Sequence, residues 1–218
     1  MDAKTRAIEQ VQRGAPFGKL SPRRWYELRP DELAPVVRIV HRRDGAIDTQ
    51  DRIIFDHEFV LVMEGEADVT VDRRPIHMRA GSLLLIRPFV KHRIVSRDGR
   101  AFAHIAVHFD LAPNVPKAGR SPDRRTPYGV RLPQRFALPE LVQLAGGDPV
   151  ERALVELVRL WHGGDEVGRV AARGLVLCAM GHLVRRAEAA EAAEAGEGKV
   201  SPANRRRIEK ALAFVRDH

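Results

Sequence analysis

Between residues 36 and 109 apolar and polar side chains alternate in short runs, over 36–42, 53–63, 67–71, 82–86, 92–95 and 102–109. Glycine, proline or charged clusters such as Asp44-Gly45 and Arg87-Pro88 punctuate them. A period of two with such breakers predicts half-buried strands. A Pro/Arg-rich connector occupies 111–138, and beyond it the period lengthens to that of helices. Asp148 is placed to cap the first, with Pro149 behind it. Val150, Leu154, Leu157, Val158 and Trp161 form its apolar stripe, and Gly163-Gly164 stops it. A second helix opens after Asp165 and carries Val170, Gly174, Leu177, Gly181 and Val184 at alternating steps of four and three, a heptad-like seam. Its glycines remove bulk where another helix can approach. Two readings stay open: the stripe packs on its own barrel, or it meets a second copy through 166–186.

Past Val184 the chain becomes low in complexity, rich in alanine and glutamate, with glycine at 196 and 198. The alanines and glutamates favour continued helix, the glycines break it, and the stretch reads as a linker over 188–200. From Ser201, a helix cap followed by Pro202, the residues Ile208, Leu212 and Val215 share one stripe.

Composition narrows the class. With 218 residues, 44% of them hydrophobic, the chain can fill one core-bearing domain and a helical appendage. Cys178 is the sole cysteine, which excludes an intrachain disulfide and suits a reducing, cytoplasmic setting. The first residues contain no apolar signal region, and no run of eighteen apolar residues occurs, so neither secretion nor membrane insertion is expected. The net charge of +8 is spread along the chain rather than gathered into one stripe. That distribution gives at most salt-sensitive, sequence-blind affinity for nucleic acid. Gly-x-Ser-x-Gly, P-loop and dinucleotide fingerprints are missing, and no catalytic residue is assigned.

Two stretches carry a more specific pattern: Glu58-Phe-Val-Leu-Val-Met-Glu-Gly65, and a run from Gly81 through Pro88 to His92. Together they resemble the two motifs of a cupin, a double-sheet β-barrel, and the fold expected is mainly β with C-terminal α. In metal-dependent cupins a His-x-His pair precedes the glutamate by four or five residues. Here the matching stretch is Thr49-Gln50-Asp51-Arg52-Ile53, without histidine. Glu58 and His92 alone are too few donors for a transition metal, and His57, adjacent to Glu58, points to the opposite face. Neither a metal nor any other cofactor is expected.

The order of parts, with Phe102-Ala-His-Ile-Ala-Val-His-Phe-Asp110 followed by two helices and then 201–218, resembles AraC-type transcriptional regulators. The resemblance implies an N-terminal arm (1–30), a cupin-like effector-binding barrel (31–138), a helical dimerisation region (139–187), the linker, and the first helix of a helix-turn-helix domain cut short after 218. It implies a homodimer that senses a small polar effector and reaches DNA only through that C-terminal domain; no DNA-contacting residue is assigned. A small cupin enzyme, an isomerase or metal-dependent dioxygenase, is the runner-up, and a cupin sensor without a DNA role is a third reading.

Ligand candidates follow from parity. If Glu58 points inward as in cupins, so do Asp56, Val60 and Val62, while Phe59 and Leu61 face out. His92 points inward through its motif position. On the last strand Ala103, Ile105, Val107 and Phe109 make one apolar face. His104 and His108 therefore share the other with Phe102 and Asp110, either lining a pocket or solvated. Arg38, alternating with Val40 and Arg42, offers forked donors to a carboxylate or hydroxylated ligand if it faces in, and is an edge charge otherwise. Trp25 and Tyr26 either close over a pocket or serve as hydrophobic anchors.

Overall fold

The computed structural model describes residues 24–97, 102–113 and 128–197. Eleven strands precede two helices among them: β1 (Arg24–Glu27), β2 (Val36–Arg43), β3 (Arg52–Ile53), β4 (His57–Glu64), β5 (Glu66–Val71), β6 (Arg74–Arg79), β7 (Ser82–Ile86), β8 (Lys91–Ser96), β9 (Ala103–Asp110), β10 (Tyr128–Arg131), β11 (Leu141–Gln143), α1 (Pro149–Gly163) and α2 (Glu166–Glu197). A five-stranded sheet in the order β11-β7-β4-β9-β2 faces a four-stranded sheet in the order β3-β8-β5-β6. This is the cupin barrel.

Burial explains which runs alternate and which do not. On β5 every second residue, Ala67, Val69 and Val71, is buried and the rest face water, so the four-stranded sheet is wet on one side. β7 and β9 are buried along their whole length, because the helices cover the outer face of their sheet. Two cores result. Val60, Val62, Val69, Met78, Leu84, Ile94 and Phe102 fill the interior between the sheets. Phe59, Leu61, Leu85, Ile105, Val107 and Phe109 pack outward against Leu154, Leu157, Val176, Met180 and Leu183 of the helices.

The motif glycines hold the turns. Gly65, between β4 and β5, has φ +80°. Gly81 has φ +83°, and a Cβ there would lie 2.5 Å from the Leu144 carbonyl oxygen. Asp148 caps α1 by accepting from the Val150 amide at 2.9 Å.

Several expectations need correction. The run 53–63 is two strands in different sheets, β3 and β4, separated by a bend at Ile54-Phe55-Asp56. β6 lies in a stretch that alternation missed, since Pro75 and three charged or imidazole side chains mask it. It pairs with β5 through a turn in which Asp72 and Arg73 both have positive φ. The connector contains β10, which pairs in parallel with β1, and the region set aside as helical from 139 opens with β11 on the edge of β7 before its first helix starts at Pro149, where the cap chemistry puts it. Within the stretch read as linker, 188–197 continues α2, as its alanines and glutamates favour. The arm before residue 24 and the helix expected over 201–218 lie outside the described residues.

α2 packs by Ala172, Val176, Ala179, Met180 and Leu183. The seam residues take the opposite side: Val170 is 67% exposed, Leu177 is also open, and a Cβ at Gly174 or Gly181 would meet nothing within 4 Å. Of that stripe only Val184 turns inward. By length and composition alone α2 is apolar enough to cross a membrane, but one face of it is spent on this core.

Candidate functional site

The inward faces of β4 and β9 pair Glu58 with His108, Val60 with Ala106, and Val62 with His104. β8 brings His92 opposite Arg52 of β3. These registers, together with the bend at Asp56, gather a polar stratum inside an otherwise apolar barrel.

Arg52 is its hub. Its Nη2 donates to both carboxylate oxygens of Glu58 at 3.1 Å, and its Nε donates to His92 Nε2 at 2.8 Å. Because His92 Nε2 accepts, its proton sits on Nδ1, which donates to the Val90 carbonyl at 3.0 Å. Burial, reinforced by the Arg52 charge, pulls the His92 pKa down to about 4. His108 has the opposite character: Nδ1 lies 3.1 Å from Asp56 Oδ1 and Nε2 lies 3.3 Å from Glu58 Oε1. Burial works against its charge, yet the two carboxylates win and raise its pKa to about 10. Burial likewise opposes ionisation of Glu58, and Arg52 and His108 overcome it, holding the carboxyl well below its usual range. The sequence Arg52, Glu58, His108, Asp56 thus alternates positive and negative, and the charges cancel.

Two neutral imidazoles border this chain. His41 meets the His104 ring edge-on at 5.8 Å and the His108 ring at 6.3 Å. Burial depresses His41 to about 3 and His104 to about 4. His104 stacks on Phe102, and its Nδ1 is buried without a hydrogen-bond partner. Between His104 and His108 the strand carries only Ala106, the smallest side chain on that face.

His104 and His108 therefore face the interior, buried rather than solvated, as do Glu58 and His92. Arg38 departs from its expected alternation with Val40. A bulge between Val37 and Ile39 puts Val37 and Val40 into the helix-facing core, and Arg38 reaches instead to Asp110, its Nε donating to Oδ2 at 2.6 Å. Burial raises the Asp110 pKa to about 6 against the pull of Arg38, and Asp110 Oδ1 has no partner. Trp25 lies apart from the stratum: its ring covers Gly129 and carries the Arg131 guanidinium 4.4 Å from its centroid. Tyr26 meets Tyr128 edge-on, and Tyr128 donates its hydroxyl to the Phe55 carbonyl at 2.8 Å.

Arg52 and His41 escaped the sequence reading. The informative signal in 49–53 is not a histidine but a cation six residues before Glu58, and the bulge masks the inward position of His41. Among the described residues no group of three or more His, Cys, Asp or Glu side chains is disposed to hold a metal ion. A separate surface groove of about 430 Å³, lined by Glu66, His77, Arg79, Ser82, Leu141 and Gln143, includes none of the interior groups.

A family model for the AraC-like ligand binding domain matches residues 35–159. Among solved structures the chain is similar to a predicted oxalate decarboxylase from Thermotoga maritima, at 15% identity over 35% of this chain and 68% of that one, with a TM-score of 0.32. It is also similar to a Cupin 2 conserved barrel domain protein from Salinispora arenicola, at 20% identity over 33% and 60% of the two chains, with a TM-score of 0.29. A third is the Schizosaccharomyces pombe Cnp3 cupin domain, at 14% identity over 38% and 64%, with a TM-score of 0.32. No curated protein matches the chain.

Proposed function

We propose, from the premise that the chain belongs to the AraC-like ligand binding domain family, that it is the effector-sensing and dimerising portion of a transcriptional regulator and not an enzyme. The observation that carries the sensing role is the polar stratum itself. Buried charge and buried imidazole destabilise a barrel unless they are paired, and His104 Nδ1 is left unpaired on the inward face. A small polar effector entering beside His41, Ala106 and His104 would satisfy that nitrogen and touch the network of Glu58, His92 and His108.

Dimerisation is assigned to the outward stripe of α2, where Val167, Val170 and Leu177 are exposed and Gly174 and Gly181 leave room for a second helix. Sequence-specific DNA reading needs a recognition helix in the major groove. It is assigned to the helix-turn-helix domain expected of such a regulator, and the barrel with its two helices should bind DNA weakly and without sequence preference at physiological salt.

The test is a thermal-shift screen of sugars, carboxylates and aromatic acids against the whole chain, since a ligand that binds only the folded state raises Tm. Hits should be lost or weakened in His92→Ala and His104→Phe. Hits that survive both variants unchanged place the effector elsewhere.

A further inference from the structure

The cupin barrel raises the question of a metal, and the inward donors here answer it in an unexpected way. A first-row ion needs three or four N or O atoms converging at about 2.0–2.2 Å. Glu58 and His92 do converge, but on a guanidinium. The Nε and Nη2 edge of Arg52 spans His92 Nε2 at 2.8 Å and both Glu58 oxygens at 3.1 Å, and His108 Nε2 adds to Glu58 Oε1 from the other side at 3.3 Å.

We propose that Arg52 is a built-in cation that occupies the coordination position of this barrel, so that the identity of residue 52 decides whether the interior holds an organic cation or a divalent metal. Three observations support it. The side chain of Arg52 enters the same carboxylate and imidazole that a metal would use, and its contacts run through the donors' lone pairs, so no lone pair directed at that point is left for an ion. Ile54, two residues on, lies in the interior apolar core, so positions 52 and 54 both reach inward, spaced as a His-x-His pair would be. The charge is also permanent. The guanidinium is covalently part of the chain, whereas a metal is lost to chelators and to ligand protonation. The barrel thereby keeps the electrostatic centre of a metal site without dependence on metal supply. This inference rests on the geometry of Arg52 and stands whether or not an effector is found.

The experiment uses Co2+ as probe on the whole chain. Wild type should show no visible cobalt absorption, and neither Co2+ nor EDTA should move its Tm. In Arg52→His/Ile54→His, where two imidazoles join Glu58 and His92, Co2+ should bind at about one ion per chain with the intense absorption of a low-coordinate N/O site and raise Tm by several degrees, reversibly by EDTA. Adding Glu58→Gln to that pair should abolish the absorption. Should the double variant fail to fold without metal, refolding on Co2+ addition supports the proposal and failure to refold counts against it. The single variant Arg52→His, which leaves the apolar core intact, should bind Co2+ more weakly. Stoichiometric Co2+ binding by wild type, a wild-type Tm lowered by EDTA, or a folded double variant that takes up no Co2+ would each overturn it.

Discussion

The barrel interior and the outer side of α2 break the same rule in opposite directions. Inside, Glu58, His92, His104 and His108 are all nearly sealed from water, where charge and imidazole are costly. Outside, Val167 is 78% exposed and Val170 is 67% exposed, where apolar surface gains nothing. The two inversions are handled differently. The interior stratum answers its own cost, with Glu58 held between Arg52 and His108 and His108 between Glu58 and Asp56, leaving only single atoms such as His104 Nδ1 unanswered. The stripe on α2 has no answer among the described residues. A network nearly complete in itself suits a small ligand that supplies the last contacts, and an apolar stripe left whole suits a macromolecular surface.

The largest effect should come from breaking the interior. Glu58→Leu leaves Arg52 and His108 as buried positive charges without their shared carboxylate, and we expect a loss of about 3–5 kcal/mol in urea unfolding. A loss below about 1 kcal/mol would mean the stratum is far wetter than its burial implies.

Titration should sharpen the same point from both sides of pH 6.5, the ordinary imidazole value. His41, His57, His92 and His104 have folded pKa values lowered to about 3 or 4, so the stability they contribute is present above pH 6.5 and is lost as pH falls through that range. Asp110, raised to about 6, opposes them weakly, because protonation relieves its cost as pH drops. His108, raised to about 10, contributes below pH 6.5 and loses that contribution as pH climbs toward 10. Stability measured against pH should therefore peak near neutrality and fall on both sides, and Glu58→Leu should flatten the alkaline limb in particular.

Arg38 sits between the two regimes, paired with a buried carboxylate but itself one-third exposed. Arg38→Met should cost about 1–3 kcal/mol at pH 8, where Asp110 is left as a lone buried anion. The cost should shrink at pH 5, below the folded value of about 6, where that carboxyl is protonated in the folded wild type and no buried anion is left for Arg38 to neutralise.

The smallest folding effects should come from α2. Gly174→Ala and Gly181→Ala place a methyl group in open space and should each stabilise the protomer by up to about 1 kcal/mol through helix propensity. Gly174→Leu and Gly181→Leu should leave the protomer folded and shift sedimentation from dimer toward monomer. Unchanged association in folded leucine variants would remove this stripe from the interface.

What could be read from sequence divides along the same line. Local rules succeeded: strand parity put Glu58, Val60 and Val62 inside and Phe59 and Leu61 outside, and the Asp148-Pro149 start and Gly163-Gly164 stop of α1 were visible as cap chemistry. Failures came where one residue changes the rule or where the partner is distant. A single bulge at Arg38 reversed the expected alternation and hid His41. β1 and β10 have no pattern of their own, since each exists only by pairing with the other. Arg52 is not legible from sequence because a charged side chain beside a turn is usually solvated, and nothing local announces that it will reach Glu58 and His92.

The β1–β10 ribbon has a consequence in time rather than space. Its four residue pairs join segments about a hundred residues apart, and so short a ribbon is marginal alone; it gains support only once the core that buries Leu28 and Tyr128 exists. It is therefore a late event in folding and an early one in opening, and the two tryptophans lie on opposite sides of that divide. Trp161 reports helix docking on the core, while Trp25, stacked over Gly129, reports the closing of the strap. Since Tyr128 is bonded to Phe55, the neighbour of Asp56, a slow phase seen only at Trp25 would record how long the edge of the polar stratum stays unlatched after the barrel has formed.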